Sequence, residues 1–131
     1  MQGTTVLLVD DEVEFRELLE KRLRVRHLEL LTAGSGEEAL AVLADHPVDV
    51  VVLDVRMPGM GGTAALREIK RLKPEVEVIM LTGQASVEVA LEGMELGAFD
   101  YLLKPVSIDE LLFKLQDAAE KKRLRAGAVA S

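Results

Sequence analysis

Cysteine is absent from this chain of 131 residues, and aromatic residues number four, one Tyr and three Phe. Without thiols, disulfide frameworks and thiolate metal centres are excluded, and a reducing cytoplasm is compatible without being established. No apolar run approaches the roughly 20 residues of a membrane span. The opening "MQGTTVLLVDDE" lacks the basic region and small-residue cleavage site of a secretory signal, and its apolar stretch is only a strand's length. Positive charge is also in deficit: 16 Lys and Arg against 23 Asp and Glu leave a net charge of −7. An acidic domain repels phosphate backbones, which argues against direct nucleic-acid binding. No G-x-G-x-x-G or P-loop pattern follows a strand-like run, which argues against a nucleotide cradle.

What is present points to one α/β domain, a length that buries a core without staples. Five short apolar runs recur: "TVLLV" (5–9), "LELLTA" (28–33), "VDVVVL" (48–53), "VEVIML" (76–81) and "FDYLL" (99–103). Near-continuous Val, Ile and Leu runs that alternate with helical spacing predict a parallel sheet covered on both faces. The first helix sets Phe15, Leu18, Leu19 and Leu23 close to one face. "SGEEALAVLA" offers Ser35 as N-cap, with Glu37 and Glu38 at the positive helix start. "GTAALREIKRLKP" carries Ala65, Leu66, Ile69 and Leu72 and stops before Pro74. "SVEVALEGMELGA" has Ser86 as candidate cap and Gly97 as C′ residue. The last helix aligns Ile108, Leu111, Leu112, Leu115, Ala118 and Ala119, with Ser107 as cap. The expected unit is (βα) five times over. Right-handed crossovers are close to obligatory for it, and 2-1-3-4-5 is one strand order known at this size. The tail "KKRLRAGAVAS" turns basic, then small and weakly structured, as a frayed end or the stump of a linker.

Ligands of open parallel sheets sit at the carboxyl ends of the strands, so the residues there carry the functional reading. Strand one ends in Asp10, Asp11 and Glu12, strand three in Asp54, strand four in Thr82 and Gly83, and strand five in Lys104 and Pro105. Singly, each has an ordinary explanation as a turn, cap or surface residue. Together they form one complementary set. Three carboxylates held together repel unless a cation intervenes, and oxygen-only ligands suit a hard ion such as Mg²⁺. An Asp carboxylate can act as a nucleophile and form an aspartyl-phosphate. Lys104 can neutralise charge on a transferring phosphoryl group, and the Thr82 hydroxyl can donate to a phosphoryl oxygen. Pro58 and the glycines at 59, 61 and 62 supply a turn that lets backbone approach.

"LLVDDE", "LDVRMPGMGG", "MLTGQAS" and "GAFDYLLKP" together resemble the receiver domain of bacterial two-component response regulators, the CheY-like fold. The wording is most similar to receivers of NtrC-type regulators, which precede σ54-activator or DNA-binding output domains. The resemblance covers residues 4 to 121 and leaves 122–131 as tail or linker. It implies a five-stranded parallel sheet of order 2-1-3-4-5. It implies Asp54 as phosphoacceptor, Asp11 as the more direct Mg²⁺ (or Mn²⁺) ligand, Asp10 as a ligand through water, and the Arg56 backbone carbonyl as a further ligand. Thr82 matches the switch hydroxyl, Tyr101 the aromatic that changes rotamer with it, and Lys104 the phosphate-binding lysine. The Lys104–Pro105 bond is expected to be cis.

Two positions bear on that pattern. His27 stands in "RVRHLEL" where such chains usually carry a Gly, and is read as a surface or cap residue rather than a phosphorelay histidine. The side chains of Arg56 and Gln84 flank the acceptor in the family pattern and are expected to influence loss of the phosphoryl group. The implied function is a cytoplasmic signalling switch, not an enzyme with a diffusible substrate. Its donor would be a sensor histidine kinase or phosphotransfer protein. Its output would be an attached domain or partner reached through the fourth helix, fifth strand and fifth helix. Phe113 lies off the buried stripe of the last helix and is a candidate contact for a phosphorylation-dependent homodimer. The alternatives are a pseudo-receiver that binds without being phosphorylated, and a flavodoxin-like phosphatase or nucleotide binder. The first is disfavoured by the complete Asp10, Asp11, Asp54, Thr82 and Lys104 set. The second is disfavoured by Arg56, where such phosphatases usually carry a second Asp.

Overall fold

The β-branched runs pair side by side, and helices return the chain between them. The computed structural model describes residues 3–24 and 28–130. In chain order it contains β1 (Thr5–Val9), α1 (Val13–Arg24), β2 (Glu29–Ala33), α2 (Gly36–Asp45), β3 (Val50–Asp54) and α3 (Gly62–Leu72). These are followed by β4 (Glu77–Thr82), a 3₁₀ turn (Gln84–Ser86), α4 (Val87–Glu95), β5 (Asp100–Leu103) and α5 (Ile108–Ala130). All strand pairs are parallel, in the order β2-β1-β3-β4-β5. Topology and fold class agree with the sequence expectation.

The alternation of a strand sends its residues to two cores. Leu7, Val9, Val51, Leu53, Val78 and Met80 face α2, α3 and α4, where they meet Leu43, Leu66 and Ile69. Val6, Leu8, Val50, Val52, Ile79 and Leu81 face α1 and α5, where they meet Leu19, Leu23, Leu111 and Leu115. β3 and β4 are buried along their whole length because both faces are covered. Each fully buried Val, Leu or Ile contributes about 1.5–3 kcal/mol of transfer free energy, so these two layers dominate stability.

Several local expectations hold. The Ser35 hydroxyl accepts the Glu38 N–H at 3.1 Å and caps α2. The Ser107 hydroxyl accepts the Glu110 N–H at 3.3 Å at the start of α5. Gly97 follows α4 with φ 104°, a conformation that costs a residue with a side chain more than it costs glycine. The Lys104–Pro105 bond is cis.

Others are corrected. Leu18 and Leu72 are each 47% exposed, so the apolar stripes of α1 and α3 are narrower than expected. Ser86 stands at the cap position of α4 but makes no side-chain cap. Its φ of −117° and ψ of 15° are not the extended geometry of an N-cap, because its N–H already closes the 3₁₀ turn onto Gly83. The tail is not weakly structured: α5 continues to Ala130. Its added turns are tied to the base of the sheet. The Lys122 ammonium meets Asp49 at 3.0 Å, and Arg125 meets the fully buried Glu77 at 3.0 Å. His27, expected at the surface or as a cap, lies outside the described residues. Among the described residues, no helix is long and apolar enough to cross a membrane.

Candidate functional site

Backbone bonds past the ends of the strands fix the polar residues expected at the sheet's carboxyl edge. The Asp10 N–H donates to Ala33 O at 3.1 Å, and the Lys104 N–H donates to Thr82 O at 2.8 Å. Asp54 is the last residue of β3, in register with Leu81 of β4, and Val55 N–H extends the ladder to Leu81 O. Neither carboxylate hangs on a loose loop. Both are aimed by a sheet that costs little further entropy to keep in place.

The carboxylates converge. Asp10, Asp11 and Asp54 each present an oxygen within 4.8 Å of the other two. Asp10 is fully buried, Asp54 is 5% exposed, and Asp11 faces solvent. Asp10 Oδ1 accepts the Glu12 N–H at 2.9 Å, and Asp54 Oδ1 accepts the Arg56 N–H at 3.2 Å. The Lys104 ammonium bridges the group, 3.2 Å from Asp10 Oδ2 and 3.6 Å from Asp54 Oδ1. Burial above all, and then the charge of Asp10, push the Asp54 carboxyl up to about 6. Lys104 and the Arg56 N–H pull it down, and the charge of Asp11 pushes it up. One lysine does not balance three carboxylates. The all-oxygen donor set and its excess negative charge therefore fit a hard divalent cation.

Thr82 closes β4 at the same edge of the sheet, and Tyr101 lies on the neighbouring β5. Thr82 is buried, and its hydroxyl donates to Gly83 O at 2.9 Å rather than to an acidic group. Tyr101 is half-buried, stands opposite Met80 in the sheet and packs on the α2–α4 core. Arg56 and Gln84 are exposed on the rim of an open cleft of about 270 Å³ that Asp54, Lys104 and Glu12 also line. Phe113 is remote in kind: it is 64% exposed on α5 and touches neither core.

The loop from β3 to α3 is held from two sides. The Met60 N–H donates to Glu37 Oε1 at 3.2 Å. At Gly62, a Cβ would lie 2.7 Å from Val55 Cα, so only glycine lets α3 start this close to β3. Gly59 has φ 77°, but Gly61 has φ −71° and open space around it, so the turn needs glycine at two of the three expected positions. Sequence reasoning missed Arg16, whose guanidinium donates to the Asp10 carbonyl at 3.1 Å and lies where a Cβ on residue 34 would go. Its signal was spacing: α1 returns the residues four to six positions after the acidic pair over the acidic loop.

The family model for the response regulator receiver domain matches residues 6–116. The chain belongs to the response regulator receiver family. That membership ties this receiver to two-component signalling. It is 41% identical over 118 residues to the DNA-binding transcriptional regulator NtrC of Salmonella typhimurium, covering 90% of this chain and 25% of that protein. It is 38% identical over 120 residues to the regulatory protein AtoC of Escherichia coli, covering 92% of this chain and 26% of that one. The receiver thus spans about a quarter of these relatives' length. Among solved structures it is similar to a response regulator receiver domain protein from Clostridium thermocellum. The TM-score is 0.89 at 36% identity, over 92% of this chain and 98% of that one. NtrX from Brucella abortus matches with TM-score 0.92 at 34% identity, over 98% of this receiver and 30% of that chain.

Proposed function

We propose that this receiver accepts a phosphoryl group on Asp54 from a sensor histidine kinase or phosphotransfer protein and works as a Mg²⁺-dependent switch. The observation that carries the reading is the convergence of three carboxylates and one lysine on a single edge of the sheet. An Asp54 oxygen forms the new O–P bond, and the donor's N–P bond breaks with its electron pair going to the donor nitrogen. Asp54 reacts as the carboxylate. With its carboxyl pushed up to about 6, it is mainly ionised at neutral pH and still basic for an aspartate. Asp10, Asp11, Asp54 and the Arg56 carbonyl would hold Mg²⁺ (or Mn²⁺), which supplies charge neutralisation at the phosphoryl oxygens when bound. Lys104 then pairs with a phosphoryl oxygen, an interaction stronger than its present one because charge accumulates there.

The Thr82 hydroxyl leaves the Gly83 carbonyl to donate to the same group. Tyr101 takes the space this opens, and the surface of α4, β5 and α5 changes population. The output is an attached domain or a partner protein, with a homodimer formed on phosphorylation, and the setting is cytoplasmic. No direct nucleic-acid contact belongs to this unit, which carries a net charge of −7. The switch unit is read as residues 4–121, with 122–131 as tail or linker start.

Incubation with acetyl phosphate, read by intact mass, tests the chemistry. A Mg²⁺-dependent gain of one phosphoryl group, absent in Asp54→Ala, is the expected result. No gain from acetyl phosphate or from a histidine kinase would favour a pseudo-receiver.

A further inference from the structure

Lys104 is held on a third side that the phosphoryl chemistry does not require. Its ammonium lies 4.4 Å from the centroid of the Phe15 ring of α1. Its other contacts are Asp10 at 3.2 Å and Asp54 at 3.6 Å, and its side chain is 23% exposed. Phe15 is itself half-buried and packs on the α1–α5 core, so the ring is fixed from behind. We infer that Phe15 is a positioning residue for Lys104: its ring face keeps the ammonium over Asp10 and Asp54. This rests on the proposed role of Lys104 at the phosphoryl group.

The physical reason lies in the side chain of lysine. It is a point charge on a flexible four-carbon stem, with three donors and no built-in direction. Two carboxylates define one side of its range. An aromatic face defines the other, attracting the cation through its negative quadrupole and excluding water from that flank. An aliphatic residue of similar bulk fills the space without the attraction. The ammonium would then spend more time in solvent, and each encounter with a phosphodonor would find it misplaced more often. With four aromatic residues in the whole chain, one of them stands against the catalytic lysine.

The test compares Phe15→Leu with Phe15→Tyr in the full chain. Phe15→Tyr keeps the ring face and Phe15→Leu does not. Phosphorylation by acetyl phosphate at saturating Mg²⁺ should be slowed about three- to thirtyfold in Phe15→Leu and be within about twofold of wild type in Phe15→Tyr. The Mg²⁺ dissociation constant should be unchanged in both, since the acidic ligands are intact. The ring-current displacement of the Lys104 ε-proton resonances should persist in Phe15→Tyr and vanish in Phe15→Leu. Should Phe15→Leu fail to fold, Phe15→Met, which refills the same space flexibly, takes its place. Equal rates in wild type and the aliphatic variant would overturn the inference while leaving the phosphoacceptor reading standing. A wild type that takes no phosphoryl group from any donor would remove both.

Discussion

Lys104 and Asp10 meet at 3.2 Å, closer than Lys104 and Asp54 at 3.6 Å. The lysine therefore compensates the fully buried Asp10 first and Asp54 second. Burial and the charge of Asp10 still outweigh Lys104 at Asp54, and the consequences can be measured.

The first concerns pH in metal-free buffer. The Asp54 carboxyl is pushed from its ordinary 3.8 up to about 6 in the folded protein. Between those values the folded state keeps a proton that the unfolded state has lost. Stability therefore falls as pH rises from about 4 to about 6, and the full penalty applies above that window. Asp54→Asn removes the penalty. It should raise the free energy of unfolding by about 1–3 kcal/mol at pH 7.5 and by little at pH 4. Urea titrations with chelator at both pH values provide the check, and an equal effect at the two would contradict the argument.

Metal should act on the same charge from the other direction. Added Mg²⁺ is expected to raise Tm in a concentration-dependent way, since a cation bound only by the folded state stabilises it by mass action. Asp11→Asn should blunt that response and leave the metal-free protein as stable as wild type or more so, because Asp11 is exposed and adds repulsion. A full Mg²⁺ shift in Asp11→Asn would remove this residue from the ligand set.

The base of the sheet holds a separate ion cluster. Glu77 is fully buried at the start of β4, with Arg125 at 3.0 Å and Lys121 at 3.6 Å from α5. Both cations are about half-exposed, so the cluster is weaker than a wholly buried one. Replacing both, Lys121→Ala with Arg125→Ala, leaves Glu77 only the charge of the nearby Lys70 and should cost about 1–3 kcal/mol. Adding Glu77→Val to that pair should recover most of the loss, because the strand then buries an apolar residue instead of an under-compensated carboxylate. A triple variant no more stable than the double would mean that the cations contribute packing rather than charge compensation.

Phe113 offers a test of the proposed output surface. It is 64% exposed on α5, with Leu103 of β5 and Leu91 of α4 also about half-exposed. Covering such side chains in a dimer would remove apolar surface from water. Phe113→Ala should weaken phosphorylation-dependent dimerisation by about tenfold or more while sparing phosphorylation of Asp54. Sedimentation of the phosphorylated variant that matched wild type would end this reading.

The sequence by itself determined the elements and which polar residues stand at their ends. Short Val, Ile and Leu runs that alternate with helical spacing point to parallel strands under helices, and the residues that close them are read directly from the chain. Asp10, Asp54, Thr82 and Lys104 were legible for that reason. The tertiary structure decided what depends on contacts between distant positions. Lys104 leans on Phe15 and on Asp10, 94 positions earlier in the chain, and Arg125 reaches Glu77 from a tail that is helical. Leu18 and Ser86 show the same limit in reverse, for helical spacing and cap chemistry describe an isolated element. How wide a stripe is buried, and whether a backbone group is already satisfied, is settled only when another element packs against it.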